Sequence, residues 1–156
     1  MHITIAAISN RLPEWISTGL ADYSKRFPPD INLNIKEISP ARRTKNSNTD
    51  RILQEEATKI RSIITRDHHV IALDEKGTRR TTARLSEQLQ DWKLESKNTL
   101  FIIGGPDGLD ESLKQDAREM WSLSDFTLPH TMTRLLLVEQ LYRASCILSN
   151  HPYHRE

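Results

Sequence analysis

Two short runs, Val70-Ile71-Ala72-Leu73 and Leu100-Phe101-Ile102-Ile103, are apolar at every position. A strand with one wet face alternates apolar and polar residues, whereas a strand covered on both faces does not. These runs therefore predict strands, over 70–77 and 99–105, in a sheet with helices on both sides. Residues 2–8 and 31–38 read as two further strands. Between those two, Ile16, Leu20, Tyr23 and Phe27 recur at helical spacing until Pro28-Pro29-Asp30 stops them. A helix over 49–65 points Ile52, Ala57, Ile60, Ile63 and Ile64 inward, and one capped at Thr82 carries Leu85, Leu89 and Trp92. A short helix over 111–119 and a long one over 131–149 complete the chain. This alternation predicts an α/β fold with a mainly parallel sheet, and 156 residues suffice for a single domain, 1–156.

The totals exclude several classes. No apolar stretch is long enough to span a membrane, and the amino terminus lacks the basic and apolar regions of a signal peptide. The single cysteine, Cys146, rules out an intrachain disulfide framework and fits a cytoplasmic location. A net charge of +1 is low for a non-specific nucleic-acid binder, so any RNA contact must rest on a local patch such as Arg42, Arg43 and Lys45. The histidine pair His151 and His154 has no third placed ligand, and no metal is expected.

In open parallel sheets, ligands bind beyond the carboxyl ends of the strands. Leu73-Asp74-Glu75, Gly104-Gly105-Pro106 and residues 123–129 all fall there. The bend Gly104-Gly105-Pro106-Asp107-Gly108 matches no phosphate-loop or dinucleotide pattern. It is either a plain turn, with Gly108 at positive φ, or a place where a ligand meets bare backbone. The last helix carries two apolar stripes: Leu137, Leu141, Ala144 and Leu148, and Leu135, Val138, Tyr142 and Cys146. Two stripes call for burial from two sides, by a second copy of the chain or as a central core helix. The ending HPYHRE sets Tyr153, able to stack on a base, beside His154, able to exchange a proton, and Arg155, able to pair with a phosphate or carbonyl.

Three segments in order, IGGPDGL, WSLSDFTLPHTMTRLLLVEQLYRA and the closing NHPYHRE, resemble the RlmH family of the SPOUT superfamily, pseudouridine N3-methyltransferases of 23S ribosomal RNA. The resemblance extends to RRTKN in the basic loop and to LDEKG, and spans essentially the whole chain. It implies a SPOUT-type α/β knot, with the carboxyl-terminal segment threaded through a loop, and a homodimer. It implies S-adenosylmethionine as methyl donor, held largely by backbone at Leu73, Gly104, Leu123, Ser124, Asp125, Phe126, Thr127 and Leu128, with Gly105 letting the main chain lie against the nucleoside. It implies action on the assembled ribosome. On this reading His154 or His130 handles the imide proton, Arg155 and Arg143 stabilise charge on the uracil carbonyls, and Tyr153 orients the base. Glu139 pairs with Arg143 one turn away. The alternatives are a SPOUT methyltransferase for another RNA position, or a non-catalytic ribosome-associated factor.

Overall fold

The computed structural model describes residues 1–154. Five strands, β1 (His2–Ile8), β2 (Asn32–Ile38), β3 (His68–Arg79), β4 (Asn98–Ile103) and β5 (Glu119–Ser122), form one sheet in the order β2-β1-β4-β3-β5. Every pairing is parallel. Helices α1 (Glu14–Ser24), α2 (Thr49–Arg61), α3 (Thr82–Leu94), α4 (Glu111–Asp116) and α5 (His130–Leu148) cover it.

Strand periodicity divides the core in two. Ile3, Ile5 and Ala7 of β1, Ile71 and Leu73 of β3, and Phe101 and Ile103 of β4 face α1, α3 and α5. Their neighbours Ala6, Ile8, Val70, Ala72, Leu100 and Ile102 face α2 and α4 through Ala57, Ile60 and Leu113. The apolar runs 70–73 and 100–103 are buried at every position, as strands covered on both faces must be. On the first face Trp92 stacks on Trp121 with ring centroids 5.9 Å apart, and Phe101 meets both edge-on. Among the described residues no helix is long and apolar enough to cross a membrane.

The structure corrects two local expectations and decides a third point left open. Thr81, not Thr82, caps α3: its backbone is extended and its hydroxyl accepts from the Arg84 amide. The Thr82 hydroxyl instead donates to Gln140 of α5 at 2.7 Å. A fifth strand, β5, follows α4, which ends at Asp116. Glu-Met-Trp-Ser is too short to show a period and is a strand because the edge of β3 pairs with it. Finally, α5 is the central helix of its layer. Gly19 of α1 packs on Leu135, Tyr23 and Phe27 pack on Tyr142, and Val138, Tyr142 and Cys146 are buried within one protomer. Both apolar stripes are thus occupied by the same chain, and the stripe pattern alone is no evidence for a second copy.

Candidate active site

The strands are parallel, so all their carboxyl ends open on one side. The segments after β3, β4 and β5 converge there around a cavity of about 640 Å³, within the roughly 300–1,000 Å³ range of small-molecule sites. Leu73 and Asp74 close one wall, Gly104 to Gly108 a second, and Ser122 to Ser124 with Phe126 to Pro129 a third, while His130 and Thr133 enter from the start of α5.

The glycine bend is a plain turn that also leaves main chain bare toward the cavity. The Gly108 amide donates to the Gly105 carbonyl at 3.0 Å, and Gly108 has φ 81°, so the bend is a tight turn held by its own backbone. Folding the turn back brings Gly104 against the chain at Gly108 and Leu109. A Cβ at Gly104 would overlap the Gly108 carbonyl group. The result is a cleft wall made of bare main chain.

The facing wall, residues 122–126, braces itself: the Ser122 hydroxyl donates to the Ser124 carbonyl and the Phe126 amide to the Ser124 hydroxyl, both at 2.9 Å. Phe126 lines the cavity yet is 83% exposed, an apolar surface that nothing among the described residues covers. Asp125 points away and pairs with Arg79. On the floor Lys114 meets Asp74 at 2.9 Å. Burial alone would push the Asp74 carboxyl up, but the Lys76 amide and the Lys114 ammonium together hold it below its ordinary value. His130 is pushed below its ordinary value of 6.5, first by burial and then by the Arg134 guanidinium one turn along α5.

Of the residues expected to contact a donor, Leu73, Gly104, Gly105, Leu123, Ser124, Phe126, Thr127 and Leu128 all line this one cavity, and Asp125 does not. Of the described residues expected to act on a base, only His130 does. Arg143 and Tyr153 cluster elsewhere. Arg143 donates twice to Glu139, at 2.8 and 2.6 Å, and its guanidinium lies 4.8 Å from the Tyr153 ring centroid. The Tyr153 hydroxyl donates to the same Glu139 oxygen. Glu139 lies roughly 14 Å farther along α5 than His130 at 1.5 Å rise per residue. His154 follows, half-buried, its Nδ1 without a hydrogen-bond partner among the described residues. Arg155 lies outside the described residues. Lys114, Trp121 and Thr133, which no sequence pattern singles out, also line the cleft. Lys114 lies in a six-residue helix whose sequence carries no sign of a site.

A family model described as a predicted SPOUT methyltransferase matches residues 1–154. The chain belongs to the RlmH family of SPOUT methyltransferases. Its similarity to RlmH proteins runs end to end. It is 49% identical over 156 residues to "Ribosomal RNA large subunit methyltransferase H" of Polynucleobacter asymbioticus, covering all of both chains. The protein of the same name from Polaromonas naphthalenivorans is 46% identical, again over all of both chains. That from Ralstonia pickettii is 44% identical over 155 residues, 99% of each chain. In this RlmH member, the glycine bend at 104–108 and the segment running to Leu128-Pro129-His130 form two of the three walls of the cleft.

Proposed function

We propose that this protein transfers a methyl group from S-adenosylmethionine to N3 of a pseudouridine in 23S ribosomal RNA, working on the assembled ribosome in the cytoplasm as a homodimer of knotted SPOUT protomers. The observation that carries the reading is the backbone-walled cleft at the carboxyl ends of β3, β4 and β5, in a chain whose full-length relatives are named as ribosomal RNA methyltransferases.

The cleft suits the donor chemically. A nucleoside with an uncharged sugar needs hydrogen-bonding main chain and apolar cover, not a phosphate cradle. Gly104 and Gly105 offer bare backbone, and Leu73, Leu123 and Leu128 offer apolar cover. When bound, S-adenosylmethionine supplies an electrophilic methyl on a sulfonium. The protein must hold the acceptor nitrogen in line with that methyl, and positioning of this kind removes much of a barrier. It must also deal with a proton, because N3 is an imide nitrogen, protonated at neutral pH. His130 sits in the cleft and stays neutral at pH 7, so its imidazole can take that proton. Arg143 stabilises the negative charge left on the uracil carbonyls, with Arg155 in the same role at the tail.

Tyr153, His154 and Arg143 lie down α5 from their own protomer's cleft. A second copy supplies them: the tail of one protomer closes the cleft of its partner, with Tyr153 against the base. The dimer is thus part of the active site rather than a packing convenience.

The test is methyl incorporation from labelled donor into intact ribosomes and into free ribosomal RNA, followed by nucleoside digestion and mass spectrometry. N3-methylpseudouridine from ribosomes is the expected product. A different methylated nucleoside would assign the enzyme to another RNA position, and failure to bind the donor would leave a ribosome-associated factor without catalysis.

A further inference from the structure

The segment 39–48 between β2 and α2 has no regular secondary structure, yet it is tied down along its length. Lys59 of α2 donates to the Ser39 and Pro40 carbonyls at 3.1 and 3.3 Å. The Ala41 amide donates to Glu56 Oε1 at 3.0 Å. The Thr44 amide donates to the Ser47 hydroxyl, the Ser47 amide returns to the Thr44 carbonyl, and Asn48 caps α2.

Glu56 is the unusual member. It is 2% exposed, on a helix face whose other buried residues are Ile52, Ala57 and Ile60. Burying a carboxylate is costly unless it is paired. Here the compensation comes from the loop itself, through the Ala41 amide and the Arg43 guanidinium 3.8 Å away. Arg43 also pairs with Asp107, a residue of the glycine bend that lines the cleft. A buried charge thus fixes a surface loop against the rim of the active site, reaching from the end of β2 past β1 to the turn after β4.

This arrangement engages Arg43 with two carboxylates. Its neighbours Arg42 and Lys45 are exposed and have no ion-pair partner among the described residues. We propose that the 39–48 loop is a preformed clamp for ribosomal RNA backbone phosphate, in which Arg42 and Lys45 make the contacts and Glu56 is the positioning residue. The proposal rests on the ribosomal RNA reading above. With a net charge of only +1, the protein has no general attraction for RNA, so local cations held in place beside the cleft matter more. Phosphate contacts carry no sequence information, but they set register and orientation, which a methyl transfer to one base requires. A loop ordered before binding loses little conformational freedom on contact.

The experiment compares wild type with the Arg42→Gln/Lys45→Gln double variant on intact ribosomes. We expect KM for ribosomes to rise about tenfold in the double variant, with kcat and donor affinity unchanged. The slope of log KM against log salt should fall by about 1.4, near 0.7 per lost contact to single-stranded RNA. Glu56→Gln keeps an acceptor for Ala41 but removes one of the two carboxylates that hold Arg43, leaving it paired with Asp107 alone. It should raise KM by a smaller factor, and by more at low salt than at high. A double variant with wild-type KM and wild-type salt slope would overturn the proposal. Co-sedimentation with ribosomes, read without any methylation, keeps the two readings apart. If wild type sediments but does not methylate, the enzymatic reading fails and the clamp is still judged by whether the double variant sediments less.

Discussion

The hydroxyl of Tyr153 lies 3.0 Å from that of Tyr23, across 130 positions of sequence. Tyr153 gives its only proton to Glu139, so Tyr23 must be the donor to Tyr153. Burial first, then the bonds to Tyr23 and Glu139, push the Tyr153 phenol far above its ordinary value of 10, so it remains a donor throughout the working pH range. The first helix of the fold thus holds the tail in place.

Tyr23→Phe removes that one bond and keeps the ring packing on Tyr142. A typical hydrogen bond contributes about 1 kcal/mol, which predicts roughly a fivefold fall in kcat/KM. Donor affinity should stay near wild type, because Tyr23 does not line the cleft, while Tm should fall by about 2–4 °C for the lost bond. Calorimetric titration with donor beside steady-state kinetics decides it; weakened donor binding with intact kcat would place Tyr23 elsewhere in the mechanism.

Gly104 and Gly105 are expected to differ although they are adjacent. A Cβ at Gly104 overlaps backbone at Gly108, which cannot move without opening the turn. Gly104→Ala should lower stability by about 1–3 kcal/mol and abolish donor binding. A Cβ at Gly105 meets only side chains, Ile8 Cγ2 at 3.1 Å and Glu56 Oε2 at 3.6 Å, which can shift. Gly105→Ala should retain most of its donor affinity. Urea unfolding and donor titration of the two variants test the contrast.

His130 accepts a proton only when neutral. Its pKa is depressed by burial and by Arg134, so activity should persist below pH 6.5 and fail as pH drops through the lowered value. Arg134 is fully buried, and its three guanidinium nitrogens have no hydrogen bond among the described residues; Glu37 approaches only to 3.6 Å. Arg134→Met removes the repelling charge and should move the acid limb of kcat/KM up toward 6.5. An apolar replacement for a poorly paired buried charge need not destabilise the fold. A profile identical to wild type would separate His130 from proton transfer.

The Asp74–Lys114 pair should show in acid stability. Asp74 has its pKa lowered in the folded state, so the pair's contribution is complete above the ordinary value of 3.8 and is lost as pH falls through the lowered one. Asp74→Asn should cost about 1 kcal/mol at neutral pH and show a shallower loss of stability below pH 4. Denaturant midpoints from pH 2.5 to 7 measure both.

Much of this fold is legible along the chain. Each strand and helix long enough to repeat its period forms where the apolar residues put it, but α2 stops at Arg61, short of Ile63 and Ile64, and β4 stops at Ile103, short of the glycines. Glu119–Ser122 is not legible, because four residues complete no period and its partner strand decides its conformation. The cleft residues at 104–105 and 123–128 are legible from strand ends, glycines and family pattern together. Glu56 is not: it interrupts an apolar helix face, and only the approach of Ala41 and Arg43 explains it.

The sequence by itself determined a parallel α/β sheet buried on both faces, a ligand edge at its carboxyl end and membership of a methyltransferase family. These follow from periods and motifs that near neighbours encode. Only the tertiary structure decided that α5 is covered by its own chain, that Tyr23 anchors the tail, and that a buried Glu56 holds the basic loop at the cleft. Such contacts join residues far apart in sequence, and no local pattern records them because close packing, not spacing along the chain, chooses the partners.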